Sequence, residues 1–165
     1  MDSAKQMEVS RVVHAPAARV FDVLVDPRRH LDIDGSGLLR GTDAGPVTAV
    51  GQTFSMDMHR DDLGDYRVIN TVREYAPDTC LGWAPDLDRS WPCSLVDMLA
   101  DVTTGGHTYT YRLREVADGT EVTQTYDWAD VHDPTIASFC PFISDDEMDE
   151  TLARLARAVE AGSPS

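Results

Sequence analysis

Two alternating runs, HTYTYRLREV and TEVTQTYDW, joined through Ala117-Asp118-Gly119, constrain this chain more than any other feature. Side chains on a strand point alternately to opposite faces, so Tyr109, Tyr111 and Leu113 share one face and Thr108, Thr110 and Arg112 the other. On the return, Val122, Gln124, Tyr126 and Trp128 alternate with Thr123, Thr125 and Asp127. Asp-Gly between such runs is a strong hairpin signal. A hairpin with one largely apolar and one polar face must lay the apolar face on a core and leave the other wet. The rest of the chain has to supply that core's other wall.

The C-terminal segment is suited to it. Met148, Leu152, Leu155 and Val159 recur at a/d spacing, which predicts a helix with one buried stripe about four turns long. Ser144 or Asp145 caps its start. Asp146, Glu147, Asp149 and Glu150 precede Arg154 and Arg157, an order that complements the helix dipole at both ends. Gly162 and the polar tail stop it.

The upstream residues add strands. Met7 to His14 predicts a first strand ended by Pro16, and AARVFDVLVD sets Val20, Phe21, Leu24 and Val25 on one face of a short helix. Asp26-Pro27 reads as an N-cap with proline at the first helical position, opening a second short helix. After a Gly/Asp/Ser-rich loop with a short strand at Leu38–Arg40, QTFSMDMHR alternates Phe54, Met56 and Met58 against Ser55, Asp57 and His59. YRVINTVREY puts Tyr66, Val68, Asn70 and Val72 on one face, and a further strand runs through Cys80–Ala84. Pro85, Pro92 and Gly105-Gly106 then predict an irregular excursion, with a turn of helix or a short strand near Leu95–Leu99 and room for a lid. His132-Asp133-Pro134 leaves the sheet, and Pro141 bounds a loop carrying Phe139 and Phe142.

At 165 residues the chain has the size of one domain. The expected fold class is α+β: a curved antiparallel sheet of about seven strands with two short helices and a long C-terminal helix. One domain over 1–165 is expected, with disordered polar ends at about 1–5 and 161–165.

The order and motifs resemble a known superfamily. VVHAPAARVFDVLVDPRRH, with Ala15-Pro16, Val20 to Leu24 and Asp26-Pro27, is similar to the opening of SRPBCC proteins, which include START lipid-transfer domains, the pollen-allergen proteins and bacterial polyketide cyclase/dehydrase-like proteins. DGTEVTQTYDW and the closing TLARLARAVE resemble the superfamily's end, so the likeness covers nearly the whole chain. The insert DIDGSG resembles a bacterial polyketide cyclase-like subgroup. The resemblance implies a helix-grip fold with a cavity for a sterol, polyketide, lipid or similar ligand, and no cofactor shared by all members.

Composition narrows the partners. A net charge of −15 makes nucleic-acid backbones and anionic lipid surfaces poor partners, since Lys and Arg supply affinity for both. No run in the chain is long enough to span a bilayer, and the N-terminus lacks a signal-like apolar stretch. Cys80, Cys93 and Cys140 are odd in number and lack CxxC spacing, so neither a zinc site nor a disulfide framework is expected. A cytoplasmic protein with free thiols is the resulting expectation, with its oligomeric state left open.

The candidate ligand-binding residues are those the alternation places on the inner faces: Phe54, Met56, Met58, Tyr66, Asn70, Trp83, Tyr109, Tyr111, Gln124, Tyr126 and Trp128. Methionine adapts to irregular shapes, and Tyr and Trp join an apolar body to a polar tip, a lining suited to a flat, partly oxygenated ligand. The same side chains also suit a filled core. Asn70 and Gln124 either orient a ligand oxygen or satisfy each other or the tyrosines.

Asp57 and His59 share a face, but it is the one opposite Met56 and Met58, so both are expected in solvent. His30, Asp32 and Asp34 before Gly35-Ser36-Gly37 are expected to shape a turn rather than to ligate a metal. His14, His107 and His132 are expected to be solvated or hydrogen-bonded. No phosphate loop, nucleophile elbow or clear buried acid/base pair is present, so no catalytic residue is assigned and no cofactor or metal is expected. Three functions stay open: binding of an apolar small molecule (polyketide, polycyclic or lipid-like), with or without cofactor-free polyketide cyclase/aromatase-like turnover; a non-catalytic interaction or regulatory role with a filled cavity; and a carrier that sequesters its ligand, which differs from the first only in turnover.

Overall fold

The computed structural model describes residues 5–161. Its elements run β1 (Gln6–Val13), α1 (Ala17–Leu24), a 3-10 turn (Pro27–Arg29) leading into α2 (His30–Ile33), β2 (Leu39–Gly41), β3 (Thr53–Arg60), β4 (Gly64–Ala76) and β5 (Cys80–Leu87), then α3 (Ser94–Met98), β6 (Thr108–Val116), β7 (Gly119–Asp127), α4 (Pro134–Ala137) and α5 (Asp145–Ala161). The strands form one antiparallel sheet in the order β1-β7-β6-β5-β4-β3-β2. The expected α+β helix-grip fold is the observed one. Of the polar ends expected to be disordered, residues 1–4 and 162–165 lie outside the described residues. Lys5 is tied down, its carbonyl accepting the Trp128 N–H at 2.9 Å.

Local chemistry explains most boundaries. The Asp26 carboxylate accepts the Arg28 N–H at 3.1 Å, capping the turn that Pro27 opens. Ser144 and Glu147 form a reciprocal capping box at the start of α5: the Ser144 N–H donates to Glu147 Oε1 at 2.9 Å, and the Glu147 N–H donates to Ser144 Oγ at 3.1 Å. The stripe Met148, Leu152, Leu155 and Val159 is fully buried. Leu152, Leu155 and Val159 join Val20, Phe21 and Leu24 of α1 and Val13, Val72, Leu81 and Val122 of the sheet in the apolar core.

Two expectations are corrected. Pro85 was expected to break the chain's fifth strand, yet β5 continues to Leu87, with Pro85 opposite Asn70 of β4. The strand tolerates it because β5 pairs with β6 only from Cys80 to Trp83, so Pro85 has a single neighbour. The alternation of β4 also does not run through: a bulge between Val72 and Glu74 shifts the register. Tyr75 is thereby brought to the inner face, where its ring meets Phe21 edge-on at 5.7 Å.

The excursion after β5 forms the one-turn helix α3, held by Arg89, whose guanidinium donates to the carbonyls of Leu99 (2.9 Å) and Val102. Its far end is fastened by the Thr103 N–H to the Asp133 carboxylate at 2.9 Å. The loop before β2 docks on α5, with the Gly35 N–H donating to Thr151 Oγ1 at 2.9 Å and Arg154 donating to the Asp34 carbonyl at 3.1 Å. Only glycine fits at 35, since a Cβ there would lie 2.5 Å from the Glu147 carbonyl oxygen and 2.6 Å from the Thr151 nitrogen.

Candidate ligand cavity

The inner face of the sheet is not filled along its whole length. Between β3–β7 and the layer formed by α2, α3, α4 and α5 lies a cavity of about 240 Å³, partly open to solvent. This is close to the lower end of small-molecule sites, which run from roughly 300 to 1,000 Å³. Its walls are mostly apolar.

β3 contributes Met56 and Met58, and β4 contributes Tyr66, Val68 and Asn70. Trp83, Tyr109, Tyr111 and Gln124 add the centre of the sheet. The Trp83 ring sits at the middle of an aromatic group, with centroids 5.7 Å from Tyr111, 6.3 Å from Tyr109 and 5.4 Å from the stacked His30 imidazole. Leu95, Met98, Phe139 and Phe142, from α3 and the loop after α4, face the sheet across the cavity. Met98 is 65% exposed and Phe139 39%, so the rim carries apolar surface in water.

Eight of the eleven candidate residues therefore meet around one space. Phe54, Tyr126 and Trp128 do not line it. Phe54 is buried in the core and packs edge-on against Trp83 at 5.8 Å. Tyr126 is fully buried under Tyr109, ring centroids 4.6 Å apart, with its hydroxyl accepting the Phe142 N–H at 3.0 Å. Trp128 lies past the end of β7, half-buried against Tyr126 at 4.9 Å. Alternation assigns a face to each residue but not the stretch of that face left uncovered.

The polar groups in the wall are few. Gln124 Nε2 donates to the Tyr111 hydroxyl at 3.1 Å, and Asn70 Nδ2 reaches the Phe54 carbonyl at 3.4 Å. Burial pushes the phenols of Tyr66, Tyr109 and Tyr111 up, so all three remain protonated donors at neutral pH.

Two histidines complete the wall. His30, buried in α2, donates Nε2–H to the Leu24 carbonyl at 2.6 Å, and burial lowers its pKa. His107 had been expected in a solvated or hydrogen-bonded setting, but it is 9% exposed, lines the cavity, and is lowered to about 4 by burial. It is neutral at physiological pH. The signal was available: His107, Tyr109 and Tyr111 continue one period-2 series, extended one step before β6. Gly106 holds it there by close approach, since a Cβ would collide with the Asp130 carbonyl.

Asp34 also lines the cavity, yet its carboxylate is engaged by its own loop, accepting from Ser36 N–H (2.9 Å), Ser36 Oγ (2.6 Å) and Leu39 N–H (2.9 Å), the turn-shaping role expected of it. Asp57 and His59 face away from the cavity, Asp57 on Arg67 at 2.8 Å and His59 between Asp65 and Asp61 at 2.7 and 3.0 Å. Among the described residues no group of three or more His, Cys, Asp or Glu side chains gathers into a metal site, and no helix is long and apolar enough to cross a membrane.

A sheet gripping a C-terminal helix over a ring-walled cavity defines a helix-grip protein of the SRPBCC kind. Solved structures share the fold at low identity. A solution structure from Arthrobacter aurescens superposes with a TM-score of 0.67 at 13% identity, covering 97% of this chain and 88% of that one. The AHSA1-like protein of Aeromonas hydrophila gives 0.59 at 17%, covering 94% and 92%. This chain belongs to the polyketide cyclase / dehydrase and lipid transport family, whose model matches residues 4–160. Among curated proteins, the uncharacterized protein Rv0088 of Mycobacterium tuberculosis is 35% identical over 106 residues, a match covering 62% of this chain and 47% of that protein. The matched region is thus about half the length of this relative.

Proposed function

We propose that this chain binds an apolar, ring-bearing small molecule of the polyketide, polycyclic or lipid-like kind in the cavity between the sheet and α5. Met56, Met58, Trp83 and Tyr109 supply the apolar contact, and Tyr66, Asn70, Tyr111 and Gln124 orient its oxygens. The observation that carries this is a cavity of about 240 Å³ walled by aromatic rings and methionines, where a plain core would be close-packed. Membership in a family described by polyketide cyclisation and lipid transport supports the same ligand class. The space under the helices argues against the filled-core interaction protein. The ligand is a small molecule and not a nucleic acid, given the net charge of −15. If the bound molecule is turned over, the wall offers desolvation and neutral hydrogen-bond donors rather than a charged catalyst.

The test is thermal unfolding against a panel of polyketides, sterols and fatty acids, with native mass spectrometry to detect co-purified compounds. A ligand at about a hundred times its Kd adds about 2.7 kcal/mol, which raises the midpoint of a domain this size by roughly 5–10 °C. Met56→Trp, which fills the cavity, should abolish the shift and leave a cooperative transition. Absence of any shift or co-purified compound would return the filled-core alternative to first place.

A further inference from the structure

Among the described residues only two buried side-chain polar atoms lack a hydrogen-bond partner, His107 Nδ1 and Gln124 Oε1, and both residues line the cavity. A buried polar group left unpaired costs about as much as a lost hydrogen bond, so native proteins carry few of them. Two on the wall of one cavity, and none in the rest of the described core, indicate where a ligand's polar atoms belong.

Their placement is informative. Gln124 stands opposite Tyr111 across the β6–β7 ladder and spends one end of its amide on the Tyr111 hydroxyl, leaving the other end free. His107 and Tyr111 are four residues apart on one face, roughly 14 Å along a strand. Tyr109 lies between them. One small polar group cannot serve both positions. The stretch between is apolar, with Tyr109 and Trp83 presenting rings 6.3 Å apart. A cavity of about 240 Å³, near the lower end of small-molecule sites, suits a compact ligand.

We propose that His107 and the Gln124–Tyr111 pair are two polar anchors that read hydroxyl groups at opposite ends of a compact aromatic ligand. This rests on the cavity being a ligand site. A hydroxyl suits both anchors because it donates and accepts. It pairs with either end of an amide and with the Nδ1 of a neutral imidazole in either tautomer. A carbonyl, ether or carboxylate meets only half of these arrangements.

The experiment measures binding of naphthalene, naphthol and a naphthalene diol hydroxylated once on each ring, by displacement of a fluorescent apolar dye from the full chain. Each hydroxyl should tighten binding by about tenfold, the equivalent of about 1.4 kcal/mol. In Gln124→Met and in His107→Phe the ratio of diol to naphthalene affinity should fall by about tenfold, with a cooperative thermal transition showing that each variant is folded. Nitrogen NMR of the His107 ring should shift with the diol and not with naphthalene. Equal affinity for naphthalene and diol, or a diol preference unchanged in both variants, would overturn the anchors while leaving the cavity as a ligand site. Binding of none of the three overturns the anchors together with the reading on which they rest.

Discussion

Protonation of His107 should make this fold acid-sensitive well above the carboxylate range. In the folded chain burial lowers His107 to about 4, whereas in the unfolded chain it titrates near its ordinary value of 6.5. Between these values the unfolded state binds more protons, so stability must fall as pH falls. The loss begins near the unfolded value and is complete below the folded one. At about 1.36 kcal/mol per pKa unit the difference amounts to about 3 kcal/mol, a large part of the stability of an ordinary domain. Other groups titrate in the same range. His30 is also lowered by burial and adds a loss of the same sign, while His59, raised by Asp65 and Asp61, acts in the opposite sense. Asp133 and Glu150, lowered by backbone N–H groups and by Arg154 and Arg157 respectively, lose their contributions at lower pH. All four remain in a His107→Phe variant, so the difference between wild type and variant isolates His107. Urea unfolding followed by tryptophan fluorescence, from about pH 7 down to pH 4, should show that difference changing by about 3 kcal/mol in favour of the variant on acidification. A difference constant to within about 0.5 kcal/mol over that range would refute the burial of a neutral imidazole at this position.

Two further outcomes follow from contacts of α5. Gly35→Ala should lower stability by about 1–3 kcal/mol in urea unfolding, because its methyl meets the α5 backbone at 2.5 Å; a change under about 0.5 kcal/mol would mean that the loop does not dock there. Ser144→Ala removes one half of the capping box and should cost about 1 kcal/mol, read as a midpoint lowered by roughly 2–4 °C, with Ser144→Asp restoring most of it.

The elements of this fold were legible because their signals are local. Period-2 alternation marked β3, β4, β6 and β7, the a/d stripe marked α5, and Asp26-Pro27 marked the turn into α2. In each case the pattern fixes which side chains share a face, and burial of that face is the dominant favourable term. Eight candidate residues reached the cavity for this reason. Phe54, Tyr126 and Trp128 share the inner-face assignment and still miss it, because position along a face is set by what packs on it from elsewhere in the chain.

The remaining features depend on contacts distant in sequence. The bulge that turns Tyr75 inward follows from pairing with β5, and Pro85 is tolerated because β6 ends its pairing at Trp83. The course of residues 88–104 is set by Arg89 and by a carboxylate thirty residues further on, Asp133. His107 has a helix-free, strand-end sequence context that suits solvent equally well; only Phe142, Tyr109 and Tyr126, closing over it with ring centroids 5.1 to 6.2 Å away, make it a buried neutral imidazole. Sequence by itself determined the faces and the order of the elements, because those are encoded in spacings of two to four residues. Tertiary structure decided where the apolar faces meet without filling the space between them, because a cavity exists only as the shortfall in packing among elements that no local pattern relates.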